Sequence, residues 1–445
     1  MRYLARALGE ADTGWRARVV VGSVGRPDDL GHAPTFFRDV ADVVPVDYAP
    51  ALRSPDPILS SPPLHPSYED RPGAPDRVFA SLDDAAFAHH VREWEAILAR
   101  PGVLERVDLL HLHHLTPAHE AAARVAPDLP VVTQLHGTEL LMLDAIRQGA
   151  PWPHADAWAR RMRRWADRSA AILASTSAAA GLAAALLGLP RRRFEVVPNG
   201  VDLVAFDGRR ATHAERVAGW RRWLVEDPRG WTPTDWRPGS VSYGAQALAP
   251  LEDPAATVVL FVGRFTAVKR ADLLVRAHAL ARTRMGRPLP LVLWGGAPGE
   301  WEGEHPAVTA SRSPWRAEVF LAGWRGHREL PSALAASDVL AVPSVAEKFG
   351  QVYIEAMAMR VPPIACNVEG PPTFIDGDAR SPSRAGWLVP PDDEGALADA
   401  LVAAATDPAE RGIRGENGRA LVVERFGWPS VARRLAAVYD RVAPA

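Results

Sequence analysis

Lysine is almost missing from this sequence. Of 51 basic residues only Lys269 and Lys348 are lysine, and the other 49 are arginine. Cysteine is just as scarce: one residue, Cys366, excludes an internal disulfide framework and fits a reducing compartment. No apolar run approaches the ~20 residues that cross a bilayer. There is no basic excess either. The net charge of -2 leaves no global positive field to draw nucleic acid. The opening stretch "MRYLARALGEADTGW" lacks the apolar centre of a signal peptide and reads as an amphipathic helix. No G-x-G-x-x-G follows a predicted strand, which argues against a Rossmann oxidoreductase. No Asp-x-Asp pair stands out at a strand end, so no metal site is expected. These absences fit a cytoplasmic protein.

What is present fills two domains. The 445 residues are long for one core, and 47% apolar with 23% charged residues is ordinary for a soluble protein. Short apolar runs alternate with helical patterns, the mark of parallel sheets covered by helices. In the first half, strands are predicted at "RARVVVGS", "DLLHLHHL", "PVVTQLHG", "AAILAST" and "FEVVPNG", with residues 54–75 as a Pro-rich loop. In the second half they are "TVVLFVGR", "LPLVLWGG", "EVFLAGW", "DVLAVPS", "PPIACN" and "GWLVPP". The expected organisation is a Rossmann-like domain over 1–206 and a Trp- and Pro-rich insertion or linker over 207–256. A second Rossmann-like domain follows over 257–425. A last helix over 426–445 could cross back onto the first domain.

Ligands of doubly wound sheets bind outside the carboxyl ends of the strands, and the informative residues cluster there. "FVGRFTAVKRAD" sets Gly263, Arg264 and Lys269 between a strand end and the next helix. A planar guanidinium and a compact ammonium so spaced can both address one diphosphate. The plain alternative is two solvated cations on a loop. In "EKFGQVYIEAMAM", Gly350 separates a strand tip carrying Glu347 from a helix that starts near Gln351. The unpaired N–H groups of that end attract anions. Glu355 lies one turn in, among apolar residues, where sugar hydroxyls would suit a buried carboxylate. Either glutamate alone could be an ordinary turn or first-turn acid.

"GRFTAVKRADLLVRA", "LVLWGG", "VFLAGW", "ASDVLAVPS", "EKFGQVYIEAMA", "PPIACNVEGPP" and "GWLVPPDD" together resemble the GT-B-fold retaining glycosyltransferases of the family 4 type (glycosyl transferases group 1). In the first half "LHGTE", "AST" and "VVPNGVD" match more loosely, in the same order. The resemblance implies two Rossmann-like domains facing an interdomain cleft, and a bacterial origin. It implies transfer of a sugar from a UDP- or GDP-sugar to a small-molecule, glycan or lipid-linked acceptor, with retention, no metal and no further cofactor. Arg264 and Lys269 would bind the donor diphosphate, with Gly263 beside them. Glu347 would meet the sugar hydroxyls, near the backbone of Phe349, Gly350 and Gln351. Glu355 would take the ribose, Gly323 would lie near the base, and His136 of "LHGTE" would reach the donor sugar. Lys348 is a site neighbour with no assigned role.

Two departures bear on this reading. Family members usually begin with a strand and a glycine-rich turn, whereas Met1 opens directly on "RYLARALGEA", which would be the first helix. The first sheet is therefore expected to lack a central strand, with the true start of translation upstream. An in-frame strand in the upstream DNA would support this, and an immediate stop codon would rule it out. A chain complete as written suggests the alternative of a catalytically impaired sugar-nucleotide-binding protein or scaffold. A sugar-nucleotide epimerase or a phosphorylase is a further alternative on the same fold. The second departure is Arg360 where the family has glycine at a helix end, so either a left-handed arginine or a different helix end is expected.

Three weaker signals remain. His111, His113, His114 and His119 crowd one segment, better read as the lining of an acceptor cleft than as a zinc site. Residues 155–169 carry Trp158, Met162 and Trp165 at helical spacing among five arginines. That pattern could rest on the inner face of an anionic membrane, although packing on the first sheet is favoured. The Trp-rich insertion could offer stacking platforms for a sugar acceptor or plug one domain onto the other.

Overall fold

The computed structural model describes residues 2–27, 29, 31–69, 77–377 and 381–443. The chain divides into two units, one of Met1–Gly200 with Trp428–Ala445 and one of Val201–Gly427. Both are parallel α/β, as the alternation of short apolar runs with helical stretches predicts. Among the described residues, no helix is long and apolar enough to cross a membrane.

The first unit holds two ladders. Strands β1 (Arg18–Ser23) and β2 (Asp42–Asp47) pair in parallel. Strands β3 (Leu110–His113), β4 (Val131–Gln134), β5 (Ala171–Ala174) and β6 (Phe194–Val196) form a second parallel sheet in sequential order. Among the described residues β1 and β3 are each bonded on one side only. Both ladders still feed one apolar cluster. Val20 and Val44 of the first and Leu110 and Leu112 of the second pack on Val91, Leu98, Ala121 and Ala122. Strand β2 is absent from the sequence expectation because Pro45 interrupts its apolar run. Here β2 is an edge strand, where a residue without an N–H is tolerated.

On another face, helices Arg2–Glu10 and Trp428–Val442 cover β4 and β5. Leu8, Val431 and Leu435 meet Val132 and Leu173 there. Trp15 Nε1 donates to Asp440 at 2.8 Å. Helix Ala155–Arg168 turns Trp158, Met162 and Trp165 inward, all buried, and Trp158 Nε1 donates to the Leu82 carbonyl at 2.8 Å. That apolar stripe is part of the unit's own core, and Arg161 caps it over the Phe87 ring at 4.0 Å.

Two buried imidazoles make the first unit acid-sensitive. Burial holds both His90 and His119 down to about 4, and His119 Nε2 is 3.0 Å from Thr133 Oγ1. Both are neutral when folded, whereas the unfolded chain binds their protons below about 6.5. Stability is therefore complete above about pH 6.5 and falls as pH drops toward 4, by on the order of 2 kcal/mol per histidine at pH 5. Urea midpoints at pH 7.5 and pH 5 check this, and equal midpoints would contradict it.

The second unit is one six-stranded parallel sheet. Its strands are β7 (Val259–Gly263), β8 (Leu291–Gly295), β9 (Val319–Gly323), β10 (Val339–Val342), β11 (Pro363–Cys366) and β12 (Trp387–Val389). The spatial order β9-β8-β7-β10-β11-β12 reverses direction between β7 and β10. In such sheets that reversal opens the crevice where ligands sit.

Residues 207–256 belong to this unit. Trp220, Trp223, Trp231, Leu248 and Leu251 are buried in its core, and the segment covers the edge strand β9. Leu321 N–H donates to the Tyr243 hydroxyl at 2.7 Å, and Trp231 Nε1 donates to the Gly296 carbonyl at 2.8 Å. An unpaired strand edge is a template for aggregation, and this strap satisfies part of it. The strap is fastened by Arg325, whose guanidinium is fully buried. It donates to the Trp223 carbonyl at 2.7 Å and to Asp227 Oδ2 at 3.0 Å. The fit leaves no room at Gly323 (φ +71°), where a Cβ would lie 1.9 Å from the Arg229 carbonyl oxygen.

Candidate functional site

Most predicted residues of the second half stand on the two loops at the reversal point, after β7 and after β10, whereas Gly323 ends the edge strand β9. β7 ends at Gly263, whose carbonyl accepts from Gly296 N–H at 3.0 Å. That approach needs Gly295, where a Cβ would stand 2.1 Å from the Gly263 oxygen. Arg264 then extends into solvent. Lys269 closes a short 3-10 turn, and Arg270 follows in the left-handed region (φ 52°), anchored at 2.5 Å to Asp392. Helix Ala271–Thr283 starts there.

The loop after β10 comes to meet this turn. Val345 N–H donates to the Val268 carbonyl at 2.9 Å, and the Lys269 ammonium forms an ion pair with the Glu347 carboxylate. The loop is wrapped on Gly370: its N–H donates to the Glu347 carbonyl at 2.9 Å. A Cβ at Gly370 would meet the carbonyl oxygens of Glu347, Lys348 and Phe349, each at 2.8 Å. Three successive carbonyls face one glycine, and Gly350 (φ +91°) then turns the chain into helix Gln351–Ala358. The first N–H groups of that helix have no intrahelical carbonyl to pair with. Beneath it, Phe349 is buried against Phe374 at 5.5 Å and Tyr353 OH donates to the Val342 carbonyl at 2.7 Å. Lys348 now has a partner, the Glu369 carboxylate, which leaves Lys269 the lysine that pairs with Glu347.

Glu355 is buried on the first turns of this helix, and its Oε1 accepts from His327 Nε2 at 2.9 Å. The same bond raises the pKa of His327 above the ordinary imidazole value. His327 lies four residues beyond Gly323, and Trp324 between them is 58% exposed. Sequence reasoning missed His327 and Glu369. The short polar stretch "GHREL" after an apolar strand was the only local signal of the first.

At the Arg360 helix end, the arginine takes the left-handed conformation (φ 57°) with Val361 N–H bonded to the Ala356 carbonyl at 2.9 Å. Glu416 holds its side chain at 2.8 Å.

His136 lies in the first unit, at the end of β4, and is described with it. Its Nε2 is 2.7 Å from His113 Nδ1, and its ring packs 4.4 Å from that of His114. Fully buried Glu139 organises the turn. It accepts from His136 N–H at 2.9 Å and Gly137 N–H at 3.0 Å, and pairs with His114 at 3.2 Å. Burial opposes its charge, but these bonds outweigh it and hold the carboxyl below its usual range. His111 Nδ1 is 2.5 Å from Tyr439 OH, so the histidine segment is tied into the unit's packing. Among the described residues, no group of three His, Cys, Asp or Glu side chains is arranged to hold a metal ion.

Comparison with known proteins agrees with this layout. Residues 256–407 match the family described as Glycosyl transferases group 1, and residues 1–205 match Glycosyltransferase Family 4. A D-inositol 3-phosphate glycosyltransferase of Kineococcus radiotolerans is 32% identical over 71% of this chain and 66% of its own length. Its namesake from Jonesia denitrificans is 30% identical over 75% and 72%. One from Catenulispora acidiphila is 28% identical over 97% and 91%. Among solved structures, HepE of Anabaena in complex with UDP is 16% identical. It covers 98% of this chain and 96% of its own, with a TM-score of 0.61. Sucrose-phosphate synthase of Thermosynechococcus elongatus is 20% identical, covers 96% and 99%, and gives 0.60. With parallel Rossmann-like sheets in both units and matches along both halves, the chain belongs to the group 1 (family 4) glycosyltransferases and has their GT-B fold.

Proposed function

We propose that this glycosyltransferase moves a sugar from a nucleotide-sugar donor to an acceptor hydroxyl, with retention of anomeric configuration and without a metal ion. The observation that carries the reading is the Lys269–Glu347 pair at the reversal of the second sheet, beside the helix that starts after Gly350. A diphosphate placed there draws Lys269 to itself and frees the Glu347 carboxylate for the sugar hydroxyls. Arg264 supplies a second cation from the same loop. Charge growing on the leaving diphosphate is stabilised by Lys269, Arg264 and the N–H groups of residues 350–352. No acid is then needed to protonate it. The acceptor oxygen bonds to C1 from the face that the phosphate leaves, and the acceptor proton passes to a departing phosphate oxygen. No covalent enzyme intermediate forms. Glu355 takes the ribose, and Gly323 lies near the base.

UDP-sugar is the proposed donor, in keeping with the UDP of the HepE complex. A small polyol phosphate is the proposed acceptor class, suggested by the names of the relatives. A thermal-shift panel of UDP-, GDP- and ADP-sugars tests the donor, because a true donor stabilises the folded state by mass action, by about 2.7 kcal/mol at a hundredfold over Kd. The anomeric configuration of the product, read by NMR, tests retention. Undiminished transfer in excess chelator tests metal independence, and no stabilisation by any sugar nucleotide would overturn the reading.

A further inference from the structure

We propose that His327 is a positioning residue for donor binding: its imidazolium fixes Glu355 as a charged, oriented acceptor for the ribose diol. The inference rests on Glu355 being the ribose ligand. The Glu355 side chain is 5% exposed, and an ionised carboxylate so buried needs a donor. Among the described residues that donor is His327 alone, bound to Oε1 at 2.9 Å, which leaves Oε2 without a protein partner. One oxygen is pinned and the other is presented. A vicinal diol needs such a fixed, charged acceptor, and a carboxylate free to rotate or to take a proton serves it less well.

The surroundings of His327 favour its charge. Glu355 faces it from the helix that follows Gly350, and Asp202 faces it from the segment that opens the second unit. The Phe206 ring, 5.5 Å away, shields it without charge. On its own turn, Arg328 is the adjacent cation, and Glu329 is engaged by Trp223 Nε1 at 3.1 Å and by Arg325 at 3.4 Å. The side chain is 56% exposed, so protons reach it from solvent. Its pKa lies above the ordinary value, so the imidazolium persists to higher pH than that of a free imidazole and is lost as pH rises through that raised value. A charge-assisted bond is about twice as strong as a neutral one, and donor affinity is expected to fall roughly fivefold across that window.

The test measures donor KM and kcat between pH 6 and 8.5 for wild type, His327→Ala, His327→Gln and Glu355→Gln. Removing the imidazole is expected to raise donor KM about tenfold, with kcat within about twofold of wild type and a flat KM profile. His327→Gln keeps a neutral donor, so its KM should fall between the two and not change with pH. Glu355→Gln should raise donor KM at least as much as His327→Ala. If Glu355→Gln raises KM while His327→Ala keeps the wild-type value and pH profile, His327 has no positioning role and Glu355 keeps its own. If Glu355→Gln leaves KM unchanged, the ribose assignment itself fails. Melting temperatures of the variants, with and without UDP-sugar, separate weaker donor binding from loss of fold.

Discussion

Lys269→Ala is expected to lower kcat/KM about a thousandfold, the scale of removing one preorganised cation or donor from a developing oxyanion. The ammonium is placed for that role by the 3-10 turn after β7 and by the bond from Val345 N–H to the Val268 carbonyl. In the unliganded protein it pairs with Glu347 at a partly exposed position, where such a pair adds about 1 kcal/mol or less. Melting temperature should therefore move by only a few degrees while turnover collapses. Lys269→Arg should recover little, because a broad planar fork cannot take the place of a compact ammonium beside Glu347. Steady-state kinetics on the folded variant decide the matter: a kcat/KM within tenfold of wild type removes Lys269 from the diphosphate.

Arg325→Met carries the largest expected effect on stability, a loss of about 3–5 kcal/mol, the scale of leaving several buried carbonyl acceptors without a donor at about 1–3 kcal/mol each. The guanidinium has no solvent to fall back on. It satisfies three carbonyls, Trp223, Asp227 and Ala322, and the Asp227 carboxylate, and it lies 5.5 Å over the Trp294 ring. Methionine fills part of the volume and none of those acceptors. The strap over β9 should loosen with it, since Arg325 ties its Trp223–Asp227 stretch to the loop beyond Gly323. Urea unfolding gives the stability, and amide exchange at Leu321 reports the edge strand directly. A loss below about 1 kcal/mol with Leu321 still protected would show that packing, not Arg325, holds the strap.

The parallel α/β architecture was legible because buried parallel strands read as continuous apolar runs, and "TVVLFVGR", "DVLAVPS" and "PPIACN" do so plainly. The site motifs were legible as strand–turn–helix units, so Lys269 and Glu347 could be placed on facing loops before any geometry was known. Strand β2 was hidden by Pro45, whose cost depends on whether its neighbour lies on one side or both. The partner of Lys348 was hidden because Glu369 sits 21 residues on, past the next strand. His327 was hidden in the same way, 28 positions before the glutamate it serves. The Trp-rich segment changed composition visibly at 207, yet nothing local said that it would close a sheet edge over a hundred residues from Trp220.

The second unit is one continuous stretch of chain, and the first is not. Helix Trp428–Val442 shares with Arg2–Glu10 the cover of Val132 and Leu173 of the first unit, so that face lacks part of its cover until residues beyond the second unit have been made. At 5–20 residues per second, roughly ten seconds to a minute separates the emergence of β5 from that of the closing helix. During synthesis the second unit can finish folding inside an unfinished first one, with an apolar surface left waiting for its final turn of helix. A chain shortened by the last fifteen residues or so would keep its second unit and lose part of the cover of its first, a form suited to chaperones and proteases rather than to catalysis.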